Sequence, residues 1–133
     1  MTGSAVYDWR EGLLRRIEYI FAAETFDDFL DHADKYHKAN KKAEAAVLVS
    51  AVLEDTVKKI ARRNNVNPSR TLDPIINDLI AANVFTEPEG KRVRAFADLR
   101  NKADHAEWDG FDIKDVGKTI EGVRDLIGHH LAR

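Results

Sequence analysis

One short segment of the sequence combines residue types that can bind an anion and transfer a proton. Arg100 is followed directly by Asn101 and, five positions after the arginine, by His105. A guanidinium is a permanently charged donor that suits phosphate and carboxylate groups, and an imidazole titrates near neutral pH. The segment is therefore the first candidate for a site of acid–base chemistry on an anionic substrate.

Other kinds of site have little support in the sequence. There is no cysteine, which excludes disulfides and thiolate chemistry. We find no Gly-rich phosphate loop, no serine nucleophile and no histidine–carboxylate cluster with the spacing of metal ligands. The adjacent His129 and His130 are expected to be solvated. We therefore expect neither a metal nor a cofactor.

A second stretch fits the same Arg–His pattern, with Arg124, Asp125 and His129. It ends four residues before the end of the sequence given, where helices tend to fray. We therefore predict that residues 100–105 carry the site and that this second Arg–His match is a coincidence.

Helical periodicity dominates the chain, and no stretch alternates apolar and polar residues over the length of a strand. The predicted helices cover residues 7–23, 25–38, 41–64, 74–83, 86–103 and 112–127. Whether 25–38 joins 41–64, directly or through a kink near Asn40, stays open. The sequence predicts one domain over residues 1–133, with an all-α fold that is an antiparallel helical bundle of four to five main helices.

Local signals define the ends and faces of these helices. Thr25, Asp73, Thr86 and Asp112 are the predicted N-terminal caps. The apolar face predicted for the first helix consists of Trp9, Leu13, Ile17, Ile20 and Phe21. The most regular stripe, in the helix over 41–64, consists of Ala46, Val49, Leu53, Val57 and Ile60.

Arg100 and Glu54 each interrupt an apolar stripe. Arg100 lies between Phe96 and Ala103, and Glu54 directly follows Leu53. An arginine in such a place needs an anion or has to extend past the core. We predict that Glu54 is this anion and fixes the orientation of Arg100. The alternative, in which Arg100 reaches water and Glu54 faces solvent, stays open.

The position of His105 poses a geometric problem. In a regular helix it lies about 140° around the axis from Arg100, whereas Asn101 and His105 share a face. Either the helix is distorted near His105, or the site is completed across a dimer.

Basic residues concentrate in two segments, although the net charge is only −2. If both segments face the same way, they form a positive surface suited to RNA. The alternative is that they are ordinary solvated helix faces. The candidate RNA-binding residues are Lys58, Lys59, Arg62, Arg63, Lys91, Arg92, Arg94 and Lys102. Acidic residues gather instead at 24–34 and 104–115.

No apolar run has the roughly 18–20 residues that a membrane span requires. The N-terminus also lacks a basic stretch followed by an apolar one. We expect a cytoplasmic protein with no membrane partner.

Residues 41–128 resemble the HEPN family of helical nucleases and nucleic-acid-associated modules. The resemblance rests on the alanine-rich, apolar residues 45–53 followed by Glu54, and on residues 98–105. After a short loop, Asp115-Val116 and residues 120–123 resemble the last helix of that family.

The resemblance implies a homodimer in which two Arg–His motifs face each other across a cleft. It also implies RNA cleavage without metal, with the ribose 2′-hydroxyl as nucleophile. His105 would then transfer the proton, Arg100 would stabilise charge on the phosphate, and Asn101 would orient either group. A protein partner such as an antitoxin, and a role in defence or stress, would also fit. Glu107 departs from the toxin–antitoxin subgroup, which has a tyrosine there.

Three functions remain open from the sequence. The first is a HEPN-type ribonuclease, favoured by Arg100, Asn101 and the two basic segments. The second is a non-catalytic HEPN-like module that dimerises or binds a protein or nucleic acid, favoured by Glu107 and the acidic residues around His105. The third is a small helical regulator unrelated to that family.

Overall fold

The computed structural model describes residues 2–132, with side chains from residue 10 onward. Over this range the chain forms five α-helices and one turn of 3-10 helix, and it contains no strand. The helices are α1 (Thr2–Lys38), α2 (Lys42–Arg63), α3 (Leu72–Ala81), α4 (Glu87–Asp104) and α5 (Ile113–His130), and the 3-10 turn is Trp108–Gly110. The predicted all-α helical bundle is confirmed.

Contacts at the helix ends show the direction of each helix. Lys42, which begins α2, donates to the backbone oxygen of Phe111 just before α5, at 3.0 Å. At the other end, Arg63 donates to the backbone oxygen of His130 at 2.9 Å. Thus α2 and α5 run parallel. The short turn between α1 and α2 makes α1 antiparallel to both, and a contact between Glu89 at the start of α4 and His130 at the end of α5 makes α4 antiparallel as well.

The centre of the core is α2, which packs against all four other helices. Its predicted stripe is buried, and Val49, Leu53, Val57 and Ile60 are fully excluded from solvent. Burying one such aliphatic side chain contributes roughly 1.5–3 kcal/mol. This helix therefore sets the position of Glu54, which directly follows Leu53. None of the helices described here is long and apolar enough to cross a membrane.

The first 38 residues do not form two helices as predicted. From Thr2 to Lys38 the chain is one helix, and Thr25 does not cap it. The Thr25 hydroxyl instead donates to the backbone oxygen of Phe21, at 3.1 Å, one turn earlier. Threonine can make this bond from inside a helix, so its presence is no sign of a helix start.

The apolar face predicted for α1 is also wrong, because it faces solvent. Leu13, Ile17 and Phe21 are 42%, 52% and 69% exposed, and the Trp9 side chain lies outside the described residues. The core is contacted by a different set of α1 residues, namely Tyr19, Ala23, Phe26, Leu30 and Ala33. This helix therefore has two apolar faces, of which the bundle covers one.

A residue in the left-handed conformation follows each of the first four helices. The residues are Asn40, Asn65, Asn83 and Ala106, with φ between 53° and 59°. In each case two backbone hydrogen bonds close the helix end, such as Lys41 N–H to the oxygen of Tyr36 at 2.9 Å. The turn at Asn40 separates α1 from α2, which answers the question that the sequence left open.

The predicted caps are correct for α5 and partly correct elsewhere. Asp112 and Asp115 form a reciprocal capping box at the start of α5. Thr86 caps α4 by accepting from the Glu89 backbone N–H, but the Glu89 carboxylate pairs with His130 instead of returning the bond. Helix α3 begins at Leu72, before Asp73, so the residue in the cap position is Thr71.

Ala106 is the one left-handed residue in the described range that is not asparagine. A Cβ in this conformation destabilises the folded state by roughly 1–2 kcal/mol. Glycine avoids this strain, but it loses more backbone entropy on folding, which cancels part of the gain. Ala106→Gly should therefore raise the free energy of unfolding by about 0.5–1 kcal/mol, measured by thermal or urea denaturation. The control is Ala82→Gly, since Ala82 has φ −83° and offers no such gain. Equal effects of the two changes would contradict the explanation.

Candidate functional site

Three side chains hold Arg100 in place. Its Nη2 donates to Glu54 Oε2 at 2.9 Å and its Nη1 to Asn101 Oδ1 at 3.2 Å, and its Nε forms an ion pair with Asp104 Oδ2 at 3.2 Å. The Arg100 side chain is 23% exposed. The predicted Arg100–Glu54 pair is thus present, and the alternative with Glu54 free in solvent is wrong.

These contacts leave part of the guanidinium available. Nη1 and Nη2 each donate one N–H and carry a second one, and Nε lies beside the Asp104 carboxylate. No other group in the described part of the chain accepts from these two. Arg100 is therefore oriented by its neighbours and retains two N–H donors that are not used within the described part of the chain.

Glu54 links two helices through two cations. Besides Arg100, it accepts from Lys58 at 3.0 Å, one turn further along α2. Burial raises the pKa of the Glu54 carboxyl, but the hydrogen bonds and charges of Arg100 and Lys58 outweigh burial and hold the pKa below its usual value of 4.5. The carboxylate is therefore ionised at neutral pH and remains a partner for Arg100.

We expect Glu54→Gln to lower the free energy of unfolding by about 1–2 kcal/mol at pH 7, because Arg100 loses the more buried of its two carboxylate partners. The pKa of Glu54 is lowered by folding, so its contribution is complete above the unfolded-state pKa and is lost as the pH falls through the folded-state value. The difference from the wild type should therefore shrink as the pH falls below the unfolded-state value of about 4.5 and then through the lower folded-state value. Urea denaturation at pH 7 and pH 3 measures it.

Asp55→Asn provides the control, since Asp55 is the exposed neighbour of Glu54 on the same helix. Its effect should stay within about 0.5 kcal/mol at either pH. Equal stability of the wild type and Glu54→Gln at pH 7 would show that the pair does not stabilise the fold.

His105 lies where α4 ends. Its N–H still bonds to the backbone oxygen of Asn101 at 3.2 Å, and Ala106 then turns the chain out of the helix. The His105 side chain is exposed, and its ring has no partner among the described residues. Since α4 is regular up to Asp104 and Arg100 bonds to Asp104, the guanidinium is directed toward the end of the helix that carries His105.

The surroundings of His105 are acidic. Asp104, Glu107 and Asp109 are all exposed next to it. Asn101, one turn earlier, faces a polar recess between α3 and α4 that it shares with Asp73, Asn77, Arg94 and Asp98. A phosphate approaching His105 would therefore meet several carboxylates as well as the two donors of Arg100.

Most of the predicted RNA-binding residues have partners within the protein. Lys59 pairs with Glu18 at 3.0 Å, and Lys102 with Asp98 at 3.1 Å. The others with partners are Lys58 on Glu54, Arg63 on the backbone oxygens of His130 and Leu131, and Arg94 on Asn77. Arg62, Lys91 and Arg92 are exposed, with no partner among the described residues.

Lys58 and Lys102 lie near the candidate site, whereas Arg62 at the end of α2 and Lys91 and Arg92 at the start of α4 lie together at one end of the bundle, because α2 ends where α4 begins. This end lies far from His105. Arg92 and His105 are separated by 13 residues of α4, which at the rise of an α-helix is about 20 Å. The basic end and the candidate site are therefore separate surfaces.

The second Arg–His match has a structural role. Arg124 joins α5 to α1 through Asp31 at 2.8 Å, Asp34 at 3.5 Å and Asp27 at 3.7 Å. Burial lowers the pKa of the Arg124 guanidinium, but these carboxylates outweigh burial and raise it. His129 is exposed. The arginine of this second Arg–His match is therefore paired with three carboxylates within the protein.

His130 is not solvated as predicted. It is 15% exposed, and its Nε2 lies 3.2 Å from both oxygens of Glu89. Its ring also packs edge-on against Phe85, with 5.2 Å between the ring centres. The C-terminal turn of α5 is thus contacted from two other helices, by Arg63 of α2 and Glu89 of α4.

The loop after His105 is held by a residue that the sequence did not single out. Lys42 donates to the backbone oxygens of Trp108 and Phe111, and its Nζ lies 5.3 Å from the centre of the Phe111 ring. A lysine at the start of a helix gives no signal of this contact. Within the described residues, no cluster of three or more metal-ligating side chains occurs.

Comparison with known proteins gives no match to a family model, to a curated protein or to a solved structure. What this site does therefore has to be argued from its residues and from the motif.

Proposed function

We propose that this protein is a metal-independent endoribonuclease of the HEPN type that acts as a homodimer. The observation that carries the proposal is the state of Arg100. Glu54, Asp104 and Asn101 fix the guanidinium, two of its N–H groups remain available, and His105 stands exposed at the end of the same helix. A preorganised donor and a titratable imidazole are what cleavage of a phosphodiester needs.

In the proposed reaction, the ribose 2′-oxygen attacks the adjacent phosphorus while one His105 takes the 2′-hydroxyl proton. The bond from phosphorus to the 5′-oxygen breaks, and that oxygen receives a proton from the His105 of the second copy. The products are a 2′,3′-cyclic phosphate and a 5′-hydroxyl. Arg100 stabilises the extra negative charge on the phosphate oxygens in the transition state.

The second histidine requires a second copy near the first site. An apolar recess lined by Tyr36, Val47, Leu48, Ala51 and Trp108 lies beside the site, since Ala51 is one turn before Glu54 on α2. We place the second copy against this recess. Val93 is buried and Phe96 packs toward Gly122 of α5, so this contact does not use them.

Cleavage of single-stranded RNA in EDTA tests the proposal. The wild type should cut the RNA and leave 2′,3′-cyclic phosphate ends, which treatment with acid converts to 2′- and 3′-monophosphates. Cleavage that requires an added divalent cation, or that leaves 3′-hydroxyl ends, would contradict the mechanism.

A non-catalytic module is the second candidate, and the carboxylates favour it. Arg100 is already paired with Glu54 and Asp104, and the exposed Glu107 and Asp109 add negative charge beside His105. In that case Arg100 only joins α4 to α2, and binding occurs elsewhere on the surface. An exposed basic end with Arg62, Lys91 and Arg92 would be the place to examine for RNA.

A further inference from the structure

An apolar stripe on α1 has no partner in the monomer. Leu13, Leu14, Ile17 and Phe21 are 42–69% exposed. At 100° per residue they span one side of the helix, about 160° from the side that carries Tyr19, Ala23 and Phe26 into the core. The bundle therefore cannot cover this stripe, which we call the outer stripe of α1.

The first part of α1 also extends beyond the bundle. All side chains from 10 to 18 are exposed. Lys59, near the end of α2, pairs with Glu18, and Arg63 lies over the ring of Tyr19, 5.1 Å from its centre. Because α1 and α2 are antiparallel, α2 ends at the level of Tyr19. The outer stripe is thus accessible to another helix along its length.

Charged residues at the two ends of the outer stripe are complementary to each other. Arg10 and Glu24 lie seven residues before and seven after Ile17, so all three fall on nearly the same line along the helix. Both are exposed and have no partner among the described residues. In an antiparallel pair of α1 helices centred on Ile17, Arg10 of each copy lies opposite Glu24 of the other.

We propose that α1 pairs with α1 of a second copy in this antiparallel arrangement. Ile17 then packs on Ile17 of the second copy at the two-fold axis, and Leu13 packs on Phe21. A lipid or RNA surface fits less well, because residues 10–24 carry three arginines and three glutamates and have no net charge. The self-complementary pattern favours the same chain over a different protein.

This contact is independent of the ribonuclease proposal. The outer stripe lies on the side of α1 that faces away from the core, whereas Glu54 and Arg100 join α2 to α4, so the pairing of outer stripes does not cover the candidate site. An assembly that uses both this contact and the contact at the Trp108 recess would contain four copies of the chain.

Charge exchange tests the proposed register by sedimentation equilibrium. Because the pair of helices is symmetric, it contains the Arg10–Glu24 contact twice. Either single change, Arg10→Glu or Glu24→Arg, therefore replaces two attractive contacts with two repulsive ones. Each should weaken association by about tenfold or more, and the double variant Arg10→Glu/Glu24→Arg should restore it. Ile17→Asp should halve the mass of the assembled species at micromolar concentration.

Two further variants separate this contact from others. Val47→Asp, in the Trp108 recess, should leave the association of α1 intact. Ile17→Cys should give a disulfide-linked dimer under mild oxidation, since the chain has no other cysteine, whereas Phe29→Cys, exposed outside the stripe, should not. A monomeric wild type, an unchanged mass for Ile17→Asp, or a double variant that fails to reassociate would overturn the proposal.

Discussion

His105→Ala should lower the rate of RNA cleavage by at least about a hundredfold while leaving the fold intact. General acid–base catalysis by a positioned side chain typically contributes 10²–10⁴-fold. In the dimeric mechanism one substitution removes both the base and the acid. Because the His105 side chain is exposed and has no partner among the described residues, its loss should change the melting temperature little. Single-turnover cleavage and thermal denaturation measure the two effects.

His129→Ala is the matched control, since His129 is also exposed, near a helix end and five residues after an arginine. It should retain the wild-type rate. Arg124→Ala should also retain the wild-type rate. Because this variant loses the contact to three aspartates, its folding is checked before its cleavage rate is compared with that of the wild type. A loss of activity in His129→Ala would show that the wrong pair had been assigned.

Arg100→Lys distinguishes charge from geometry in the same assay. A lysine keeps the positive charge but lacks the planar arrangement of donors. If Arg100 acts on the transition state, the lysine variant should also be slow while its melting temperature stays closer to the wild type than that of Arg100→Ala.

The second large effect concerns the packing of α4 on α5. A Cβ added at Gly122 would lie 2.1 Å from Phe96 Cζ, which is far inside van der Waals contact, so the ring would have to move. Gly122→Ala should therefore lower the free energy of unfolding by about 1–3 kcal/mol, although alanine favours the helix by about 1 kcal/mol.

Gly128→Ala is the control in the same helix. Nothing lies within 4 Å of a Cβ at that position, so the change should stabilise the protein by up to about 1 kcal/mol. Comparing the free energies of unfolding of the two variants by urea denaturation separates the effect of the clash from the effect of helix propensity. Equal stabilisation by the two changes would mean that Phe96 does not pack on Gly122.

Periodicity and charge were sufficient to predict part of this structure. The stripe of α2 is buried as expected because a 3.6-residue repeat defines one face unambiguously. Glu54 and Arg100 were recognisable for the opposite reason, since a charge inside an apolar stripe must be paired. The capping box of Asp112 and Asp115 depends only on neighbouring residues and was likewise predictable.

The repeat fails where a helix has two apolar faces. In α1 the more conspicuous set, Leu13, Ile17 and Phe21, is the exposed one, and the core side is formed by Tyr19, Ala23 and Phe26. Nothing local to α1 tells which face meets the bundle. Its continuity past Thr25 was also missed, because a threonine suits the inside of a helix as well as its start.

Apart from the Glu54–Arg100 pair, the contacts between distant helices could not be predicted from one sequence. Arg124 and His130 have partners on other helices, at Asp31 and Glu89, and these pairings depend on which helices are neighbours. The same holds for the basic residues, most of which pair with carboxylates or carbonyl oxygens. Counting the basic residues of a segment therefore predicts a larger positive surface for RNA than the fold exposes.

The most direct measurement compares two oligonucleotides that differ by one oxygen. An RNA strand with a single preferred cleavage site, and the same strand with 2′-deoxyribose on the 5′ side of that site, are incubated with the wild type in EDTA. The account predicts cleavage of the first at that site, with a 2′,3′-cyclic phosphate, and none of the second there. Equal cleavage of both, or no cleavage of either, would contradict it.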